Sequence, residues 1–181
     1  QAIALKPDYA TAYYNLGSML RELVYRYDES EASLRQAIAL KPDYAEAHSS
    51  SGATLKELGR LDESEASLRQ AIALKPDLTE AHNNLGITLQ ELGRYDESEA
   101  SLRQAIALKP DFTAAWDNLL FMLNYNPRLS SAELYREYEG YGAFVSSATV
   151  QQFTHSNRSS LADRRIRVGY SSPDFRGHAC Q

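Results

Sequence analysis

The sequence predicts an all-α solenoid of paired helices, and three observations carry that prediction. The word DESEASLRQAIALKPD stands unchanged at residues 28–43, 62–77 and 96–111, a period of 34 residues, and a truncated copy, QAIALKPD, occupies residues 1–8. A strict period of this length marks identical supersecondary units stacked on one another. Within the word, Ser30, Leu34, Ala37 and Ile38 fall at i, i+4, i+7 and i+8, the spacing of one helix face. Between the copies lies a second segment of helical length whose sequence varies from unit to unit.

In the repeated helix, Asp28 with Glu31, Asp62 with Glu65 and Asp96 with Glu99 read as capping pairs for the first turn. Lys41, Lys75 and Lys109 are expected in the last turn, where a cation complements the helix dipole. Pro42, Pro76 and Pro110 then end the helix, as Pro7 does for the truncated copy. Asp8, Asp43, Asp77 and Asp111 read as N-caps of the variable helices, predicted over Tyr9–Leu23, Tyr44–Leu58, Leu78–Leu92 and Phe112–Leu123. Gly59 and Gly93 supply the left-handed residue that turns the chain into the next copy. In the first unit Val24-Tyr25 replaces that glycine, which predicts a distorted turn between intact helices.

The pattern breaks at Asn124-Tyr125-Asn126-Pro127, so the repeats are placed at residues 1–123. Ser130 with Glu133 caps a further helix, in the segment 124–146, whose Leu134, Tyr135, Tyr138, Tyr141, Phe144 and Val145 make an aromatic-rich face. It reads as a lid on the end of the stack or as a bridge into a following domain. Residues 147–164 are polar and serine-rich, a linker. Arg165–Tyr170 (RIRVGY) alternates apolar and polar residues and reads as a strand in a short extended tail, 165–181.

A formal net charge of −5 argues against a nucleic-acid-binding array, which needs a basic face. The lone Cys180 excludes an internal disulfide, and His178 with Cys180 does not make a metal site. No apolar run reaches the roughly 18 residues of a membrane span, and no basic-then-apolar leader opens the chain. A soluble, cytoplasmic protein is the expectation. Both ends look cut, which suggests a piece of a longer protein.

Across the units, Tyr13, His48, His82 and Trp116 put a large residue near the start of each variable helix. Gly17, Gly52 and Gly86 follow where helices touch, then Leu34, Leu68 and Leu102, then Ala37, Ala71 and Ala105, then the prolines. A helix–turn–helix unit with this pattern resembles the tetratricopeptide repeat, which implies a right-handed superhelix. Leu120 replaces the glycine in the fourth unit. His48 and His82, at the packing position, are read as structural.

Spacing leaves His178 open as a catalytic base, a sugar or phosphate contact, or a loop residue, with no nucleophile–base pair beside it. The stretch RIRVGYSSPDFRGH (165–178) resembles the opening of the catalytic region in bacterial SPINDLY-type and O-linked N-acetylglucosamine transferases, although Ser171 stands where that family has an apolar residue. NLLFMLNYNPRLSSAELYREYEGYG (118–142) resembles the junction those proteins use. The resemblance implies a protein glycosyltransferase that moves a sugar from a nucleotide sugar onto Ser or Thr, with His178 matching a cleft histidine. The nucleotide-binding residues would lie past Gln181, so this stretch alone would be inert and holds no cofactor.

A second candidate site is the concave groove such arrays form, lined by Asn15, Ser50, Asn84 and Asn118. An amide can donate to and accept from a peptide backbone, so such a row suits extended polypeptide partners; the other reading is solvated filler. Arg21, Lys56 and Gln90, with Glu22, Glu57 and Glu91, are expected to border the groove. The rival to the enzyme reading is a non-enzymatic scaffold for protein partners. The cut first helix also predicts apolar surface at one end and end-to-end association of chains.

Overall fold

The structure, a computed structural model, describes residues 7–23, 26–126 and 129–149. Residues 1–148 form one compact unit and 149–181 another. The Val24-Tyr25 turn, the strand expected at Arg165–Tyr170 and His178 lie outside the described residues. Among the described residues there are eight helices and no strand: α1 Pro7–Glu22, α2 Tyr27–Leu40, α3 Ala45–Glu57, α4 Leu61–Leu74, α5 Thr79–Glu91, α6 Tyr95–Leu108, α7 Thr113–Asn124 and α8 Ser131–Thr149. The variable helices are α1, α3, α5 and α7; the repeated word forms α2, α4 and α6.

The odd helices α1, α3 and α5 each pack on the even helix that follows, α2, α4 and α6 each pack on the next odd one, and successive odd helices touch. The result is two layers, with the repeated helices in one and the variable helices in the other. Leu34, Leu68 and Leu102 sit between the layers with no exposed surface. They fit because Gly17, Gly52 and Gly86 face them: a Cβ on Gly52 would lie 2.5 Å from Leu68 Cγ and 3.1 Å from the Ser64 carbonyl. The glycine is required by close approach of two helices, whereas Gly59 and Gly93 are required by φ of 72° and 75°.

Buried hydroxyls tie the layers together. Ser64 Oγ donates to the Gly52 carbonyl at 2.8 Å and lies 3.0 Å from Thr88 Oγ1, which is itself 2.9 Å from the Asn84 carbonyl. Ser30, Gly17, Thr54 and Ser50 repeat the arrangement one unit earlier. Each cluster has two hydroxyl protons for three contacts, so with Ser64 donating to Gly52 the threonine proton goes either to the serine oxygen, linking the third helix, or to the carbonyl of its own helix; in both arrangements each hydroxyl has a partner. Ser98 keeps its bond to Gly86 at 2.7 Å, but Met122 stands where the threonine would be, and the chain of hydroxyls ends there.

The predicted caps need correction. Gly59 N–H bonds the Lys56 carbonyl and Arg60 N–H the Leu55 carbonyl, a Schellman closure that leaves no linker, and Gly93-Arg94 repeats it. The helices of the repeated word, α2, α4 and α6, begin two residues earlier than expected, with Arg26, Arg60 and Arg94 at the N-cap in place of the aspartates and no side-chain cap bond. Asp28, Asp62 and Asp96 fall inside the first turn, and the pairs with Glu31, Glu65 and Glu99 do not form caps. Asp43, Asp77 and Asp111 are not N-caps either. Each Lys-Pro-Asp closes a β-turn, with the N–H of Tyr44, Leu78 or Phe112 bonding the lysine carbonyl at 3.0–3.1 Å, and the helix starts one residue later. Asp8 stands inside α1, which opens at Pro7. Lys41, Lys75 and Lys109 are C-caps beyond the last turn.

The charges freed from capping form ion pairs between units. Arg94 bonds Glu97 on its own helix and Glu65 of the preceding copy at 2.6 Å, and Glu65 also takes Arg69 at 2.8 Å. Partial burial raises the Glu65 carboxyl, yet the bonds from Arg69 and Arg94 outweigh it and hold its pKa below 4.5. Arg94 is held above its ordinary range, first by Glu97. Solvent screens the arginine of each such pair, so the pairs add little to stability. Their importance is register: Glu65 of one copy meets Arg94, just ahead of the next copy, and Arg69 meets Glu97 within it.

Beyond α7, Ser130 and Glu133 form the capping box read from sequence, with Ser130 N–H on Glu133 Oε2 at 2.8 Å and Glu133 N–H on Ser130 Oγ at 3.3 Å. Leu129 and Leu134 pack on Leu102, Leu119, Met122 and Leu123, Arg103 reaches Glu137 at 2.9 Å, and Tyr141 meets Trp116 at 5.6 Å between ring centres. The helix α8 thus covers the last unit. Tyr135 and Tyr138 of its expected aromatic face are exposed.

Candidate functional site

The odd helices stand side by side, so any residue type held at one position recurs as a row across them. Asn15, Ser50, Asn84 and Asn118 make such a row: Asn15 is exposed and the other three are half-buried. The side-chain amides of Asn15 and Asn84 have no hydrogen-bond partner among the described residues, whereas Asn118 Nδ2 donates to Asn83 Oδ1 at 2.9 Å. Ser50 and Asn84 also anchor the buried clusters through their backbone carbonyls. Sequence reading missed Asn83, a buried side chain (6% exposed) that joins α5 to α7. Its counterparts are Tyr14, Ser49 and Asp117, so no row announces it.

Glutamates flank the amide row. Glu22, Glu57 and Glu91 are exposed at the C-terminal ends of α1, α3 and α5; Glu46 and Glu80 lie in the first turns of α3 and α5. Lys56 is drawn between Glu57, at 2.6 Å, and Glu91, at 3.6 Å. Lys75 bonds Glu46 at 2.8 Å, and that bond, opposed by partial burial, holds the Glu46 carboxyl below its ordinary pKa. Ser18, Ala53, Ile87 and Phe121 run beside the amides. In α7 the acidic position is taken by Tyr125, whose ring lies 5.1 Å from that of Phe121. Both rings are exposed, at 74% and 57%, so the wall turns from acidic to aromatic at this end.

His48 and His82 take the structural role read for them. Each ring bonds the carbonyl of the preceding proline (Pro42, Pro76) at 2.9 Å, as Trp116 Nε1 bonds Pro110 at 3.1 Å. A carbonyl only accepts, so Nε2 of each histidine carries the proton. An open cleft of about 470 Å³ lies where α6 begins and α7 ends, lined by Arg94, Tyr95, Met122 and Tyr125, and its arginine is already paired. Among the described residues no cluster of His, Cys, Asp and Glu is arranged to hold a metal ion, and no helix is long and apolar enough to cross a membrane.

Sequence models of the tetratricopeptide repeat match residues 10–44 and 79–112, and a TPR-repeat model matches residues 52–93. No curated protein matches the chain at a significant level. Among solved structures, MamA superposes with a TM-score of 0.69 at 18% identity, covering 79% of this chain and 82% of that one. A mutant O-GlcNAc transferase of Thermobaculum terrenum superposes with a TM-score of 0.66 at 23% identity, covering 74% of this chain but 26% of that one. The first repeat domain of Spaghetti (RPAP3), described as bound to an HSP90 peptide, gives 0.62 at 16% identity, covering 67% of this chain and 95% of that one. At these identities the likeness is one of fold. Together with the 34-residue period, the glycine–leucine contacts and the two-layered packing, these matches make the chain a tetratricopeptide-repeat solenoid.

Proposed function

We propose that the odd-helix face binds extended polypeptide segments of partner proteins. The observation that carries this reading is the amide row: the side-chain amides of Asn15 and Asn84 have no hydrogen-bond partner among the described residues, and Asn118 uses one donor internally. A free amide offers two donors and an acceptor to a passing peptide backbone whatever its side chains. A fold relative described as peptide-bound supports the same use. The test is binding of labelled peptides to the chain and to a variant with Asn84→Ala and Asn118→Ala. At roughly 0.5–1.5 kcal/mol per bond, affinity is expected to fall about tenfold. Equal affinity, with helicity unchanged, would discard the amide row.

The resemblance of residues 165–178 and the fold likeness to a bacterial O-GlcNAc transferase support a larger setting. In it the repeats recruit protein substrates for a SPINDLY-type or O-GlcNAc-transferase-like catalytic region that uses a nucleotide sugar and places His178 in its cleft. The continuation of the reading frame tests this. If no sugar-nucleotide-binding domain follows Gln181, the array is a scaffold. End-to-end association belongs to the same proposal: Leu16, Met19 and Leu23 on α1 are 47%, 64% and 50% exposed, whereas Leu85 and Thr88, the counterparts of the first two on α5, are buried beneath α4. A monomer by light scattering across micromolar concentrations would overturn it.

A further inference from the structure

The two rows of glutamates give the amide row a charge preference. Glu46 and Glu80 lie on one side of it and Glu22, Glu57 and Glu91 on the other. The cations within reach offset them only in part: Arg21 adjoins Glu22 on α1 and Lys41 acts on the Glu46 carboxyl. Lys56 is shared between two glutamates and keeps little exposure (18%), and Lys75 is committed to Glu46. Glu22 and Glu80 form no ion pair among the described residues. A peptide crossing the odd helices therefore passes Glu22 on α1 and runs between two carboxylates on α3 and on α5 before it reaches α7. There the flanking acid is replaced by Tyr125 and the neighbouring side chain by Phe121, two exposed rings in contact.

Spacing turns this into a sequence preference. Adjacent packed helices lie about 8–10 Å apart, and an extended chain advances about 3.3 Å per residue, so each odd helix meets roughly every third residue. We propose that the partner segment of this face is a basic, extended peptide with Lys or Arg at about every third residue over α1, α3 and α5, and an apolar or aromatic residue where it crosses α7. The inference rests on the peptide-binding reading above and adds which peptides are taken. Lysine or arginine gains Coulomb attraction from both lines of glutamates, and an acidic segment is repelled by both. The ring pair supplies an exposed aromatic surface that can seat a hydrophobic side chain.

The experiment compares three labelled peptides of about twelve residues on the full chain, basic, neutral and acidic, the basic one made both with and without a terminal Leu or Phe. Fluorescence polarisation at low and moderate salt reads the result. The basic peptide is expected to bind at least about tenfold more tightly than the acidic one, with the gap narrowing as salt rises. Glu57→Gln with Glu91→Gln should reduce that preference several-fold, and Phe121→Ala with Tyr125→Ala should weaken the basic peptide only when it carries its apolar residue. Equal binding of all three peptides, lost with Asn84→Ala and Asn118→Ala, would overturn the charge preference and leave the peptide-binding reading standing. No binding of any peptide would overturn both.

Discussion

Leu68→Ala is expected to lower stability by about 2–5 kcal/mol, read from urea unfolding followed by circular dichroism. Leu68 has no exposed surface and packs on Leu85 and Leu89 of the next variable helix, with Ile72 beside them. It also fills the hollow that Gly52 leaves in α3. One side chain therefore bonds three helices, and truncation opens a void among all of them. The void is hard to close. The Ser64 hydroxyl holds α4 to the Gly52 carbonyl and the Thr88 contact holds α4 to α5, so the helices cannot slide together without breaking buried hydrogen bonds. A loss below about 1 kcal/mol would show that the layers collapse more freely than this packing implies.

Gly52→Ala is the second large effect, and its sign is diagnostic. Helix propensity alone favours alanine by about 1 kcal/mol in the middle of α3. The contact opposes it: a methyl group there would lie 2.5 Å from Leu68 Cγ, in the stem of a fully buried side chain, and 3.1 Å from a backbone carbonyl. A net destabilisation of about 1–3 kcal/mol is expected. Gly140→Ala serves as the control, since the nearest atom to its added methyl is on Trp116 at 3.9 Å. There alanine should be neutral or stabilising by up to about 1 kcal/mol. Gly52→Ala combined with Leu68→Ala should cost less than the sum of the two, because the new methyl enters space that the leucine has vacated. Strict additivity would mean that the two residues do not share that space.

Much of this was legible before any coordinates. The leucine at the fourth position after the buried serine, and the glycines facing it, recur with a period that only stacked helix pairs explain. Gly59 and Gly93 were readable because a left-handed turn demands glycine whatever surrounds it. The caps were misread, by two residues in the repeated helices and by one in the variable ones, for a physical reason. Asp62 with Glu65 and Asp96 with Glu99 satisfy the spacing of a capping box, but the Schellman closure before α4 and before α6 places the turn at Gly59-Arg60 and Gly93-Arg94 and starts the helix early. The box at Ser130 and Glu133 formed because no such closure was needed there. In the candidate site the row Asn15, Ser50, Asn84 and Asn118 followed from periodicity, whereas Asn83 is singular in sequence and visible only through its bond to Asn118.

The identity of the repeated word determined the architecture on its own: equal helices with equal contact residues stack at equal intervals, and local propensity with apolar spacing suffices to say so. What that identity is for was decided by the tertiary structure. The serine becomes a buried hydroxyl shared by three helices, and the arginines and glutamates become ion pairs between one copy and the next. Both depend on distances between units, which no single unit encodes. For the same reason the amide row could be read from sequence, while its unpaired members, its flanking carboxylates and the aromatic pair at its end could be recognised only once the variable helices stood side by side.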